Sequence, residues 1–187
     1  ALVMAALLAR AISDDDPECQ ARLERFIDGL ATSESAGADF PFMFIRPLVR
    51  AWEATGNRTA LKLVGQMRTM FVDEHPLFRP DGSFAGHVHS QLYAAAGLTE
   101  LGRLTGDGAL IESMNRVFQV IRQRSTDFGW VPELTEREDD VVGCETCCLM
   151  DYIHLALALA RCGHTAYYDD VERAVRNHLS ESRVRSG

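Results

Sequence analysis

The segment 143–148 reads Gly-Cys-Glu-Thr-Cys-Cys and brings three thiols and a carboxylate together. A long apolar stretch follows at once, which predicts that the segment lies at a helix N-terminus. The partial positive charge at such a terminus favours thiolate over thiol. Thiolates and a carboxylate are zinc ligands, so the segment is a candidate metal site. The alternative is that Cys144 and Cys148 are small core residues, because free cysteine is often buried.

A second candidate group opens another predicted helix, where residues 86–91 read Gly-His-Val-His-Ser-Gln. His87 and Gln91 share a helix face because they are four residues apart, whereas His89 points elsewhere. Two histidines at the start of one helix can contact a substrate, although a structural role for each remains the alternative.

The third candidate is Glu133, which follows Trp130, Val131 and Pro132. Apolar surroundings favour the protonated form of a carboxyl group, which a general acid needs. An aromatic side chain beside a carboxylate also suits a sugar ring. The acidic run at 136–140 that follows is predicted to be a solvated loop.

Composition excludes several classes of function. The chain has 187 residues, of which 47% are hydrophobic and 25% charged, as is usual for one globular domain. A net charge of −8 without a lysine or arginine run argues against nucleic acid and anionic membrane as partners. Five cysteines, two of them adjacent, fit a reducing compartment or a bound metal better than disulfides. Because the opening stretch 1–8 also lacks a basic leader, we expect a cytoplasmic location.

The elements that must position these residues are helices. Apolar residues recur at three- and four-residue spacing in eight segments: 2–12, 18–31, 47–55, 58–73, 87–104, 108–124, 145–162 and 166–180. Similar turns recur at Gly56, Gly106 and Gly163, which are 50 (106 − 56) and 57 (163 − 106) residues apart. This period predicts an all-α fold of repeated αα-hairpins, either an open solenoid or part of an (α/α) toroid, the (α/α)6-barrel. We expect residues 1–187 to form a single helical-repeat domain that belongs to a larger toroid.

Residues 86–177 resemble the helical-toroid domain of the zinc-dependent β-L-arabinofuranosidases, glycoside hydrolase family 127, and their relatives. Three motifs carry the likeness: Gly86-His87 with 92–97 and 103–107, Glu145-Thr146-Cys147, and the helix 167–177 with its tyrosine, aspartate, Glu-Arg and asparagine positions. The likeness fades towards the N-terminus.

The resemblance implies roles for several residues. Glu145 and Cys147 would be two of four zinc ligands, and His87 would face the sugar. Glu133 would be the acid/base, although it lies closer in sequence to Glu145 than the family pattern has it. The family's nucleophile is a cysteine thiolate from a second adjacent pair further downstream, which would lie beyond Gly187. We therefore expect the rest of the toroid, or a second subunit, to complete the site.

Arg46 departs from the family, which is acidic at that position in a rough alignment. Arginine binds carboxylates through two parallel hydrogen bonds, so a uronic acid is an alternative to arabinofuranose, unless Arg46 forms a structural salt bridge. The resemblance implies a retaining glycoside hydrolase with a covalent intermediate, and we expect its carbohydrate substrate to contact His87, His89, Trp130 and Arg46. The alternatives are a helical-repeat interaction module and a sugar isomerase or epimerase on the same architecture.

Overall fold

The computed structural model describes residues 1–32, 42–135 and 143–182. Eight α-helices account for most of these residues: α1 (Leu2–Ser13), α2 (Pro17–Thr32), α3 (Ile45–Thr55), α4 (Arg58–Arg68), α5 (Val88–Thr105), α6 (Gly108–Arg124), α7 (Thr146–Arg161) and α8 (Tyr167–Arg173). Within those three ranges, the only extended pairing is an isolated antiparallel bridge between His87 and Leu134. The prediction of an all-α chain is confirmed.

The predicted helices at 58–73 and 166–180 each change character before they end. α4 continues as a π-helical turn at Thr69–Glu74, and α8 continues as another at Ala174–Leu179. In both turns a backbone N–H bonds the carbonyl five residues earlier, from His75 to Met70 (2.7 Å) and from Ser180 to Val175 (3.0 Å). Apolar periodicity does not distinguish this wider winding from an α-helix.

The chain forms two compact units, residues 1–76 and 77–187. In the first unit α1 packs against α2, and α3 packs against α4. Its core consists of fully buried side chains from these helices, including Met4, Leu23, Ile27, Ile45 and Leu48. Burying each such side chain contributes roughly 1.5–3 kcal/mol, which holds the two hairpins together.

In the second unit α5 and α7 pack against each other over most of their lengths, with α6 beside α5 and α8 beside α7. Both central helices are apolar around most of their circumference, as buried helices must be. The small residues Ala94, Ala95 and Ala96 are fully buried on α5, which lets neighbouring helices approach closely. The two helices that carry the candidate site are therefore the most firmly packed in this unit.

The predicted repeat glycines lie at corresponding turns. Gly56 and Gly106 cap α3 and α5 in the left-handed conformation, with φ of 69° and 73°. Gly163 also has a positive φ, 108°, but it lies one residue beyond the C-cap of α7, Cys162. The turn at Gly163 therefore differs from the other two, because its glycine follows the C-cap residue instead of being that residue.

The lead-in to α5 is fixed by two contacts within the second unit. A Cβ added to Gly82 would lie 2.4 Å from the backbone carbon of Arg116, so only glycine allows this turn to approach α6. The hydroxyl of Thr135 donates a hydrogen bond to the carbonyl of Phe84 (2.9 Å), which joins the chain before α5 to the connection after α6. Among the helices that the structure describes, none has the length and apolar character needed to cross a lipid bilayer.

Candidate functional site

Glu145 lies at the centre of the candidate site. It is the N-cap of α7 and has an extended backbone, with φ −78° and ψ 138°. Residues two apart on a regular helix do not face each other, but this extended conformation brings the side chains of Glu145 and Cys147 together. The Cys147 thiol donates to Oε2 of Glu145 at 2.9 Å, and Nε2 of His87 lies 2.9 Å from the same oxygen.

His87 is the N-cap of α5, so the N-termini of two helices meet at this contact. Neither His87 nor Glu145 forms a side-chain capping hydrogen bond. Their side chains are instead directed at each other and stay accessible, with 37% and 44% of their surface exposed. The hydrogen bonds from Cys147 and then His87 lower the pKa of Glu145, so the carboxylate form is stabilised.

The three thiols do not behave as their position at a helix N-terminus predicts. Burial raises the pKa of Cys148 to about 12, and it also raises the pKa values of Cys144 and Cys147. The thiol form is therefore favoured, because burial removes the solvation that a thiolate needs and the carboxylate of Glu145 disfavours a second negative charge beside it. The expectation of a ready thiolate was wrong, and burial within the packed second unit is the reason.

Glu133 lies beside this cluster. Its carbonyl accepts a hydrogen bond from the N–H of Val88 (2.8 Å), and a Cβ added to Gly143 would lie 3.6 Å from its carboxylate oxygen Oε2. The carboxylate is close enough to Cys144 to contribute to the raised pKa of that thiol. Glu133 is thus held between the start of α5 and the lead-in to α7. It therefore lies beside the two helix starts from which His87 and Glu145 meet.

The other predicted substrate contacts, His89, Trp130 and Arg46, lie in three different parts of the chain. His89 lies beside His87, with 5.7 Å between ring centroids, so the expectation that it points elsewhere was wrong, because His87 is the extended N-cap of α5 and not part of the regular helix. Trp130 is half-buried in a turn that is closed by two hydrogen bonds with Thr126. Arg46 belongs to the first unit, where it is buried in the first turn of α3, and its role as a substrate contact stays a prediction. The acidic run at 136–140 lies outside the described residues.

Asp151 is a residue of this region that the sequence reading missed. It is 3% exposed, and its carboxylate contacts Nδ1 of His89 as well as Nδ1 of His154 (3.3 Å). One signal could have identified it, because Asp151 is the one acidic residue within the largely apolar helix α7. A carboxylate within such a run must be paired, since burying an unpaired charge is costly.

The cluster contains donors that suit zinc. Among the described residues, His87, Glu145 and Cys148 offer ligand atoms that all lie within 4.8 Å of one another. A tetrahedral zinc ion holds its ligands at about 2.0–2.3 Å, so the ligand atoms lie about 3.3–3.8 Å from one another and this set would have to close around the ion. Imidazole, carboxylate and thiolate are the donor types that zinc takes in proteins. The predicted pair of Glu145 and Cys147 is also in contact, so both neighbouring thiols are candidates beside Glu145.

Comparison with known proteins identifies the fold. No family model matches the chain, and no curated protein matches its sequence. A solved structure of an unsaturated glucuronyl hydrolase variant, UGL with dGlcA-Glc-Rha-Glc, is similar with a TM-score of 0.80 and 14% identity, over 98% of this chain and 62% of that one. A GH127 β-L-arabinofuranosidase from Geobacillus stearothermophilus T6 is similar with a TM-score of 0.71 and 18% identity, over 94% of this chain and 35% of that one.

Both similar proteins are (α/α) toroid glycoside hydrolases, which confirms the predicted toroid fold. Identities of 14% and 18% establish the fold and nothing finer. The chain spans less than two thirds of either similar structure.

Proposed function

We propose that this chain is part of a glycoside hydrolase that acts on an arabinofuranoside or on a glycan containing a uronic acid. The observation that carries the proposal is the contact between His87, Glu145 and Cys147 at the paired starts of α5 and α7. The toroid fold supports it, because the two similar structures are glycoside hydrolases. One of them was solved with a saccharide that contains dGlcA, which supports keeping uronic acids among the candidate substrates.

Each residue of the cluster has a chemical role in this proposal. Glu133 is the acid that protonates the leaving oxygen and then acts as the base for water, as retention requires. His87 and His89 present imidazole nitrogens, which hydrogen-bond sugar hydroxyls. Trp130 offers an aromatic face to the ring. The hydrogen bond from the N–H of Val88 holds the backbone of Glu133 beside the start of α5, so the carboxyl group and the imidazoles approach the substrate from neighbouring positions.

Glu145 and Cys147 are the proposed zinc ligands, with His87 and Cys148 near enough to complete the set. Zinc, when bound, would hold cysteine sulfur as thiolate, which is the nucleophilic form. Glu145 accepts hydrogen bonds from the Cys147 thiol and from Nε2 of His87, which both contact the same carboxylate oxygen. The raised thiol pKa values mean that metal binding must displace protons.

The test measures whether the full-length protein hydrolyses any of three substrates. Two are aryl glycosides, a β-L-arabinofuranoside and a β-glucuronide, and the third is an unsaturated uronyl oligosaccharide. We expect turnover of one class, with Glu133→Gln reducing kcat by at least about 100-fold because the acid is lost. Glu112→Gln on α6 is the matched control, since that exposed glutamate contacts Asn115. Binding of these sugars without turnover, or no binding at all, would contradict the proposal and favour an interaction module.

A second candidate, a sugar isomerase or epimerase, is favoured by one observation. The ring centroids of His87 and His89 lie 5.7 Å apart, and the carboxylate of Asp151 contacts Nδ1 of His89. Paired imidazoles can move protons on a sugar without a covalent intermediate. Exchange of a sugar C–H for deuterium in heavy water, without release of an aryl group, would identify this reaction.

A further inference from the structure

Asp151 is a buried carboxylate whose two oxygens each meet a histidine. Oδ2 contacts Nδ1 of His89 on α5, and Oδ1 lies 3.3 Å from Nδ1 of His154, one turn further along α7. An ionised carboxylate can only accept hydrogen bonds, so each imidazole must donate through Nδ1. The carboxylate is thus satisfied on both sides, which its burial requires.

This arrangement determines which nitrogen of His89 faces outward. A neutral imidazole that carries its proton on Nδ1 has Nε2 as an acceptor. The side chain of His89 is 29% exposed, whereas that of Asp151 is 4% exposed, so a ligand reaches the imidazole and not the carboxylate. The ring of His89 lies beside that of His87, which contacts Glu145. The accepting nitrogen therefore belongs to the candidate site.

We propose that Asp151 is a positioning residue that holds His89 with its proton on Nδ1, so that Nε2 accepts a hydrogen bond from a hydroxyl of the bound sugar. The identity of the ligand as a sugar rests on the proposed function. His154 occupies the second oxygen of Asp151, so the carboxylate cannot rotate away from His89 without breaking another hydrogen bond. The contact from Asp151 across to α5 and the contact from His154 to Asp151 within α7 therefore act together to restrain the orientation of His89.

An amide at position 151 distinguishes this arrangement from simple packing. A carboxylate offers two accepting oxygens, whereas an amide offers one acceptor and one donor. In Asp151→Asn the two imidazoles cannot both donate through Nδ1, because the amide nitrogen must face one of them. One of the two rings should therefore move its proton to Nε2, although the side chain keeps its size.

The first measurement reads the tautomers directly. Long-range proton–nitrogen correlation spectra of the histidine-labelled full-length protein, recorded at mildly alkaline pH, separate protonated from unprotonated ring nitrogens. His89→Gln and His154→Gln assign the signals, since each removes one pair. We expect both rings to carry the proton on Nδ1. A proton on Nε2 of His89 in the unsubstituted protein would overturn the proposal, and this result does not depend on any variant at 151.

The second measurement uses the variants. In Asp151→Asn one of the two rings should change from the Nδ1–H to the Nε2–H pattern. Asp170→Asn is the matched control, because Asp170 is also a buried aspartate, 5% exposed, but it pairs with Arg122 and Arg173 instead of histidines. The control should leave both tautomers unchanged. If both rings of Asp151→Asn kept their protons on Nδ1, Asp151 would not determine the tautomer and the proposal would fail.

The third measurement adds L-arabinose and D-glucuronic acid as probes. We expect the sugar that binds to shift the Nε2 signal of His89, and Asp151→Asn to weaken its binding about tenfold. Binding that leaves the His89 signal and the variant's affinity unchanged would overturn the inference while the proposed function stood. If neither sugar bound, the proposed function and the sugar as partner of Nε2 would both be contradicted, while the tautomer spectra would still decide what Asp151 does.

Discussion

In the second unit, the N-cap residue of α6 has a different role from the N-cap residues of α5 and α7. α6 begins after Asp107, whose carboxylate accepts a hydrogen bond from the N–H of Leu110 (3.0 Å) and so caps the helix. α5 and α7 begin at His87 and Glu145, which form no side-chain cap and contact each other instead. The N-cap of α6 therefore stabilises its helix, whereas the N-caps of α5 and α7 are the residues of the candidate site.

The connections differ in the same way. A turn of two residues, Gly106 and Asp107, joins α5 to α6, whereas a connection of more than twenty residues lies between α6 and α7. Short turns are fixed by local backbone preferences, and long connections are where proteins usually place functional groups. Trp130, Glu133 and Cys144 all lie in the long connection.

The largest effect that tests this contrast is loss of metal binding in Glu145→Gln. We expect zinc affinity to fall by more than about 100-fold, because even residues that only support a ligand contribute 10- to 100-fold. Calorimetry on the full-length protein measures it, with Glu112→Gln as control. Equal zinc affinity in both variants would mean that the carboxylate at the start of α7 is not a ligand.

The pH dependence of zinc affinity gives the next largest effect. Burial raises the pKa values of Cys147 and Cys148, the latter to about 12, so at neutral pH both enter the complex as thiols that must lose a proton. Metal affinity should therefore rise with pH, by about tenfold per unit for each thiol that binds. Cys147→Ser and Cys148→Ser assign the slope to one thiol or to both. An affinity that is flat between mildly acidic and mildly alkaline pH would exclude thiolate ligands.

Much of the fold could be predicted because its determinants are local. Apolar spacing located α6 at 108–124, as observed, and glycines with polar neighbours marked the turns at Gly56 and Gly106. The π-helical turns were missed because their wider winding leaves the same apolar pattern.

The candidate site was less accessible to sequence reading because it depends on contacts between distant residues. His87 and Glu145 are 58 positions apart, and only the register of the repeated hairpins, which places the starts of both helices at one end of the array, indicates that the two residues meet. Burial likewise reverses the thiolate expected at the start of α7, and it depends on packing around Cys148. The sequence marks Asp151 as an acidic residue in a largely apolar helix, but it does not show its partner His89, which lies 62 positions away on α5.

A smaller effect is expected at the short turn. Gly106 has a φ of +73°, and a Cβ added there would meet nothing within 4 Å, so Gly106→Ala introduces backbone strain without a clash. We expect a loss of about 1–2 kcal/mol in the free energy of unfolding, measured by urea denaturation. Gly108→Ala is the control, because it has equal space and no positive φ, and it should be neutral or slightly stabilising. Equal losses in the two variants would show that the left-handed cap is not the cause.

The smallest effect compares the two kinds of N-cap directly. Asp107→Ala removes a capping hydrogen bond and should lower the free energy of unfolding by about 1 kcal/mol, which lowers Tm by roughly 2–4 °C. Asp107→Ser keeps a capping oxygen and should restore most of that loss. Glu145→Ala should leave Tm unchanged, because its side chain caps no backbone N–H and remains accessible. Thermal denaturation without added metal, followed by circular dichroism, measures all three variants. A fall in Tm for Glu145→Ala as large as that for Asp107→Ala would mean that Glu145 stabilises the helix start after all, and the contrast between the two kinds of N-cap would then be wrong.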